Sequence, residues 1–177
     1  MLQLLIALLL LCAPLGATTL VRYDLAGLTR NAACVFVGTC KEVSGELIDG
    51  RPYTRFRFAV DQVVKGQAPA ELEVRLPGGE QQGVRVHLAG MPQFAPGEEV
   101  VLFLTEADPQ GHAWPVGLGQ GKFRVARDAA AKPRVFQQPG GAALYGAAGA
   151  EILNGMPLEE FLARVRKLAG EGGADER

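Results

Sequence analysis

Polar and apolar residues alternate along three segments of the chain, a period that is typical of half-buried β-strands. In the clearest of them, YTRFRFAV, one face holds Thr54, Phe56, Phe58 and Val60. The predicted inward positions are Leu72, Val74 and Leu76 in ELEVRLPGG, and Val84, Val86 and Leu88 in GVRVHLAG. The outward positions are mostly polar, and they include Arg55, Arg57, Arg75, Arg85 and His87.

Further strands are predicted from apolar composition. CVFVGTCKEV, which begins at Cys34, is rich in branched and aromatic side chains, and the following SGELIDGRP has the Asp-Gly and Pro signals of a loop. In FAPGEEVVLFLTE the continuous run from Val100 to Leu104 predicts a strand that is buried on both faces or covered by a helix. WPVGLGQGKFRVARD predicts one or two strands bent at glycines, and RVFQQ predicts a brief strand within an Ala- and Gly-rich loop.

Two helices are predicted. YDLAGLTRNAA favours a short helix capped by Asp24. MPLEEFLARVRKLAG favours an amphipathic helix that ends at Gly170, with a buried stripe formed by Leu158, Phe161, Leu162, Val165 and Leu168. Short strands followed by one packed helix predict a mainly β, closed or nearly closed barrel over residues 18–169, with a disordered tail at 170–177.

The N-terminal segment has the features of a signal peptide. Its apolar block from Leu4 to Ala13 is ten residues long, whereas a membrane-spanning helix needs about 20. Pro14 and Gly16 end the block, and cleavage after Ala17 would define residues 1–17 as the signal peptide. An uncleaved membrane anchor and a lipid-modified Cys12 are the open alternatives. The expected localisation is secreted or periplasmic.

The charge balance does not indicate a nucleic-acid partner, and the cysteine spacing does not indicate a metal site. The 18 basic and 19 acidic residues give a net charge of −1, which is not typical of a nucleic-acid-binding protein. On a straight strand Cys34 and Cys40 would lie about 20 Å apart, while bridged cysteines have Cα atoms about 5.5 Å apart. They are interpreted as two small apolar side chains on one strand face; the alternatives are a disulfide across a sharp bend near Gly38 and a separate bond from each cysteine to another group. No ligand spacing indicates a metal site or a cofactor.

No motif indicates catalysis. GLGQGKF lacks the first glycine and the final Ser or Thr of a phosphate loop, and the two histidines support no nucleophilic pair. Glu98 and Glu99 are adjacent, so on a strand they point to opposite faces, and both are interpreted as solvated residues of the turn and the strand edge. The candidate binding surface is the outward face with Arg55, Arg57, Arg75, Arg85 and His87, which would suit a carboxylate or an acidic loop. A solvated face balanced by Glu71 and Glu73 is the alternative.

Four segments in order, NAACVFVGTCKEV, YTRFRFAVDQVVKG, LEVRLPGG and FAPGEEVVLFL, resemble the first strands of the netrin-like domain. This domain is the oligonucleotide/oligosaccharide-binding (OB) barrel of the tissue inhibitors of metalloproteinases, and the resemblance spans roughly Asp24 to Val125. The same four segments are also similar to segments of uncharacterised exported bacterial proteins. The resemblance implies an OB-like barrel, but not the inhibitory chemistry, because those inhibitors chelate zinc through an N-terminal cysteine and the expected mature N-terminus here is Thr18.

The expected function is that of an exported, non-enzymatic binding module that engages an extracytoplasmic protein, with a protease as one candidate partner. The alternative is a barrel that binds a small ligand or a glycan through Trp114, Tyr53 and the arginine face. Neither hypothesis involves nucleic acid, and the membrane enters only if the N-terminal segment is retained.

Overall fold

The computed structural model describes residues 19–137, 143–145 and 153–172. The predicted signal peptide 1–17 and the last residues of the predicted tail, 173–177, lie outside these ranges. The described strands are β1 (Thr19–Val21), β2 (Cys34–Ile48), β3 (Arg51–Lys65), β4 (Glu71–Pro77), β5 (Gly79–Gln81), β6 (Val84–Val86), β7 (Glu99–Leu104), β8 (Lys122–Arg127), β9 (Pro133–Gln137), β10 (Ala143–Tyr145) and β11 (Met156–Pro157). The helices are α1 (Leu25–Asn31), a short 3-10 helix (Leu118–Gly121) and α2 (Leu158–Gly172).

Seven strands form one antiparallel sheet in the order β11-β9-β8-β7-β2-β3-β4. Within it β2, β3 and β4 follow one another, and β7 returns by a long connection to lie beside β2 on its other side, which is the strand order of a Greek key. The edge strands β4 and β11 do not pair with each other, so the described residues form an open sheet rather than a closed barrel. The mainly β prediction is confirmed at this coarser level.

The hairpin of β2 and β3 is longer than the sequence predicted. The segment SGELIDGRP was expected to be a loop, but β2 continues to Ile48 and β3 begins at Arg51. Only Asp49 and Gly50 form the turn, with φ angles of 50° and 73°. Two consecutive left-handed residues match the tight turn that Asp-Gly favours in a hairpin. The prediction was wrong because the Asp-Gly signal marked a two-residue turn inside a continuous hairpin.

The sheet is buried on both faces around β7. On the face covered by α1 and α2, which we call the helix face, Val101 and Phe103 pack with Phe161 and Leu162 of α2. On the opposite face, which we call the loop face, Val100 and Leu102 pack with Phe56, Phe58, Met91 and Phe94. Every residue from Val100 to Leu104 is buried. The predicted double burial of this strand is therefore confirmed.

Both predicted helices are present. Asp24 caps α1, because its Oδ1 accepts a hydrogen bond from the backbone N–H of Gly27 at 2.6 Å. Helix α2 buries Leu158, Phe161, Leu162 and Val165, but it continues to Gly172. Gly170 therefore does not end the helix, and the first residues of the predicted tail are helical. None of the described helices is long and apolar enough to span a bilayer.

The segment GVRVHLAG does not form the predicted strand of the main sheet. Gly78 and Gly79, with φ angles of 110° and 116°, turn the chain away after β4. Strands β5 and β6 then make a separate small hairpin around Gln82 and Gly83. Val84, Val86 and Leu88 were expected to face the core, and they are instead 46%, 37% and 39% exposed.

Candidate functional site

The structure brings together three of the five predicted site residues. Arg55 and Arg57 lie on β3, and Arg75 lies directly opposite Arg55 on β4. Because side chains alternate along a strand, all three point away from Phe56 and Phe58, as predicted. Arg85 and His87 are elsewhere, on β6 and in the loop that follows it. The sequence could not show this division, because it did not reveal that β6 leaves the main sheet.

Glutamates neutralise the three arginines. Arg57 forms an ion pair with Glu42, and the Arg55 Nε lies 3.8 Å from the Glu73 Oε2. The Arg75 Nε lies 2.5 Å from the Glu46 Oε1. Glu42 and Glu46 belong to β2, partly in the stretch predicted to be a loop, so the sequence did not show them beside the arginines. The surface therefore carries both signs of charge.

A polar cavity of about 130 Å³ lies within this network, and it is lined by Glu42, Ser44, Arg55, Arg57 and Glu73. Ser44 accepts a hydrogen bond from the Arg55 Nε at 3.2 Å. The cavity thus presents donors and acceptors in a small volume, but each arginine already has a carboxylate partner. Tyr53 shares this face of β3, whereas Trp114 packs against the loop-face core. The aromatic pair expected for a glycan site is therefore not assembled.

His112 is part of this network and was not predicted to be. Its Nε2 lies 3.2 Å from the Arg75 Nη1, and its Nδ1 lies 3.6 Å from the Asp108 Oδ2. The backbone N–H groups of His112 and Gln110 donate to the Asp108 Oδ1 at 2.8 and 2.9 Å. These bonds, led by that of His112, lower the pKa of the Asp108 carboxyl. The loop between β7 and β8 is thereby tied to β4.

The other two predicted site residues, Arg85 and His87, lie on the β5–β6 hairpin and just after it. Arg85 forms an ion pair with Glu80 across the hairpin, and His87 is exposed. A cavity of about 310 Å³ lies at the base of the hairpin, where its lining includes Arg85, Val86, His87, Leu88 and Gln93. The residues expected to be inward are therefore part of an open, accessible surface.

Exposed apolar side chains continue from this hairpin onto β2. The Gln81 side chain rests on Gly45, where an added Cβ would lie 1.7 Å from the Gln81 Nε2. Gly45 lies between Val43 and Leu47 on one face of β2, and both are exposed. Val84 is opposite Gln81 in the hairpin, so their side chains share a face. We call this surface the hairpin cleft, and it comprises Val43, Leu47, Val84, Val86 and Leu88.

The two cysteines are free thiols in the structure. Cys40 is buried in the loop-face core and Cys34 packs partly against the same core, as the interpretation of two apolar side chains on one face predicts. Burial raises the pKa of both thiols. For Cys40 the nearby Glu98 carboxylate raises the pKa further, because it disfavours a second negative charge.

A buried ion pair was missed by the sequence analysis. The Lys122 Nζ on β8 lies 2.7 Å from the Glu98 Oε1, and the two side chains are only 6% and 13% exposed. Lys122 also donates to the backbone carbonyl of Gln93 at 2.5 Å and lies 4.6 Å from the centre of the Phe94 ring. Glu98 was expected to be solvated. In the structure its carboxylate is mostly buried, and its ion pair with Lys122 connects the loop before β7 to β8.

Comparison of the chain with models of known protein families and with curated protein sequences finds no match. The resemblance to the netrin-like domain is therefore a prediction from sequence motifs alone.

Proposed function

We propose that the chain is an exported, non-enzymatic binding module that engages another extracytoplasmic protein through the hairpin cleft. The observation that carries the proposal is the exposure of Val84 and Val86 on the β5–β6 hairpin and of Leu88 in the loop that follows it. Apolar patches of this kind mark interaction surfaces in soluble proteins. The adjoining cavity of about 310 Å³ provides a recess for an apolar anchor of the partner.

An OB-like, netrin-like architecture is proposed for the sheet. The strand order β7-β2-β3-β4 with β8 beside β7 supports it, because the OB-fold is a partly open, five-stranded Greek-key barrel. On the open side, Lys122 and Glu98 join β8 to the loop that covers the loop face, and Arg75 joins β4 to His112.

Co-purification with matched variants tests this function. The purified protein is used as bait against the extracytoplasmic fraction of its own source, beside the double variant Val84→Glu and Val86→Glu. Val63→Glu is the matched control, because Val63 is also an exposed valine in a strand. It lies near the C-terminal end of β3, away from the hairpin cleft. The proposal expects one reproducible partner that the control retains and the double variant loses. Equal capture by all three proteins would contradict it.

A second candidate function is the binding of a small polar ligand in the cavity between Glu42, Arg55 and Arg57. The mixed donors and acceptors of that cavity favour it. A ligand would raise the melting temperature of the isolated protein by mass action. Loss of that shift in Arg55→Ala, with the shift kept in Val86→Glu, would separate this candidate from the protein-binding module.

A further inference from the structure

The strand β4 is an open edge of the main sheet. Val60 donates to the carbonyl of Ala70 at 2.8 Å and Gly78 donates to the carbonyl of Pro52 at 2.9 Å, one at each end of the β3–β4 pairing. Backbone groups alternate in direction along an antiparallel strand, so Leu72, Val74 and Leu76 bond to β3. The N–H and C=O groups of Glu71, Glu73 and Arg75 must then point away from it.

No strand and no backbone group within the described ranges pairs with that outer side of β4. Glu73 is half-exposed and Arg75 is about one quarter exposed. Unpaired edges can pair with another chain, and proteins block them with prolines, bulges, charged side chains or a covering loop. β4 has no proline before Pro77, no bulge in its pairing with β3, and charges of both signs at alternate positions.

We propose that β4 pairs antiparallel with β4 of a second copy, so that the sheet continues across a two-fold axis at Val74. In this register Glu73 of one copy lies opposite Arg75 of the other, and the pairing occurs twice by symmetry. The outward backbone groups of both residues face each other, as hydrogen-bonded pairs require. Leu72 then lies opposite Leu76 of the second copy on the loop face.

The charges select this register over its neighbours. A register centred on Glu73 places that residue opposite itself, and a register centred on Arg75 places two arginines opposite each other. Opposite charges across a strand pair stabilise it and like charges destabilise it. A register centred on Glu73 also places Glu71 opposite Arg75 twice, but only the register around Val74 has charge pairs of opposite sign and none of like sign. The charge pairs involve none of the residues of the hairpin cleft, and this proposal does not rest on the proposed function.

Sedimentation equilibrium of the purified protein and its charge variants tests the proposal. Wild type is expected to self-associate, and Glu73→Arg and Arg75→Glu are each expected to weaken the dimer by roughly tenfold or more, since both symmetric pairs become repulsive. An equimolar mixture of the two variants is expected to associate, because one presents two arginines and the other two glutamates. Glu71→Arg is the control, as Glu71 lies opposite Pro77 and outside the charge pairs.

Glu73→Pro, compared with Glu73→Gln, separates the backbone pairing from the charge, because both variants remove the carboxylate and only proline also removes the outward N–H. The N–H of Glu73 points outward, so proline removes an edge donor and leaves the bonds to β3 intact. Circular dichroism and thermal melts check that each variant is folded. A dimer that Glu73→Pro leaves unchanged would overturn the proposal, as would a wild-type protein that stays monomeric at every soluble concentration or a mixture of charge variants that does not associate.

Discussion

Replacement of Lys122 by Met should strongly destabilise the protein. The ammonium group of Lys122 contacts the Glu98 carboxylate at 2.7 Å and the Gln93 carbonyl at 2.5 Å, at a site nearly closed to water. Methionine fills a similar volume but leaves a buried carboxylate without its counter-charge. Breaking a buried pair in this way costs about 3–5 kcal/mol.

Urea denaturation measures this loss. At a slope of about 1–3 kcal/mol per molar urea, the midpoint should fall by roughly 2 M. The double variant Lys122→Met and Glu98→Gln removes both charges, while the glutamine oxygen can still accept the bond that the Glu98 Oε2 now accepts from the Ala95 N–H at 3.0 Å. Its loss of stability should be smaller than the sum of the single losses by at least about 1 kcal/mol, because the sites are coupled.

A small effect of Lys122→Met would contradict the reasoning about the buried ion pair. A loss below about 1 kcal/mol, with additive effects in the double variant, is the size expected of a solvent-exposed pair. It would show that Lys122 and Glu98 are solvated and that the loop before β7 is not fastened to β8. Arg127→Met is the matched control, because Arg127 pairs with Glu99 at an exposed site and its loss should be small.

Three further predictions concern single groups. Gln120→Leu should lower the free energy of unfolding by about 1–3 kcal/mol, because the buried Gln120 amide accepts a hydrogen bond from the Tyr23 N–H and donates one to the Val21 carbonyl. Hydrogen exchange at the Tyr23 amide should accelerate in this variant, and an unchanged rate would contradict the role of these two bonds. A thiol reagent at neutral pH should modify Cys34 before Cys40, since Cys40 is buried; equal rates would contradict that burial. The Arg134 side chain lowers the pKa of Asp128, so this carboxylate stabilises the fold above its unfolded pKa, and the contribution disappears as the pH falls through the lower folded value. Thermal melts across the acid range should show a weaker pH dependence for Asp128→Asn, and an identical dependence would exclude this role.

The sequence predicted elements better than their connections. Alternation correctly assigned the faces of β3 and β4, and the continuous run from Val100 to Leu104 correctly predicted double burial, because both patterns depend on local periodicity. The same alternation misplaced Val84, Val86 and Leu88, since no local pattern shows whether a strand joins the main sheet. The decisive residues were Gly78 and Gly79, whose positive φ angles redirect the chain.

The candidate site was less predictable, because it depends on pairings between distant segments. Arg55, Arg57 and Arg75 were predicted to lie together, but Glu46, the partner of Arg75, comes from a segment interpreted as a loop. A two-residue Asp-Gly turn flanked by alternating residues was the available signal for that hairpin. Nothing in the sequence pairs Lys122 with Glu98 or Arg75 with His112, because these contacts depend on how distant segments pack against one another.

Photo-crosslinking in the source cells tests the central claim of a protein-binding cleft most directly. A photoreactive amino acid is placed at Val86 in the hairpin cleft, and in a parallel strain at Val63, and the adducts are identified by mass spectrometry. The proposed function predicts one protein adduct that forms from position 86 and not from position 63. The absence of any protein adduct from position 86, in a folded protein at native abundance, would contradict it.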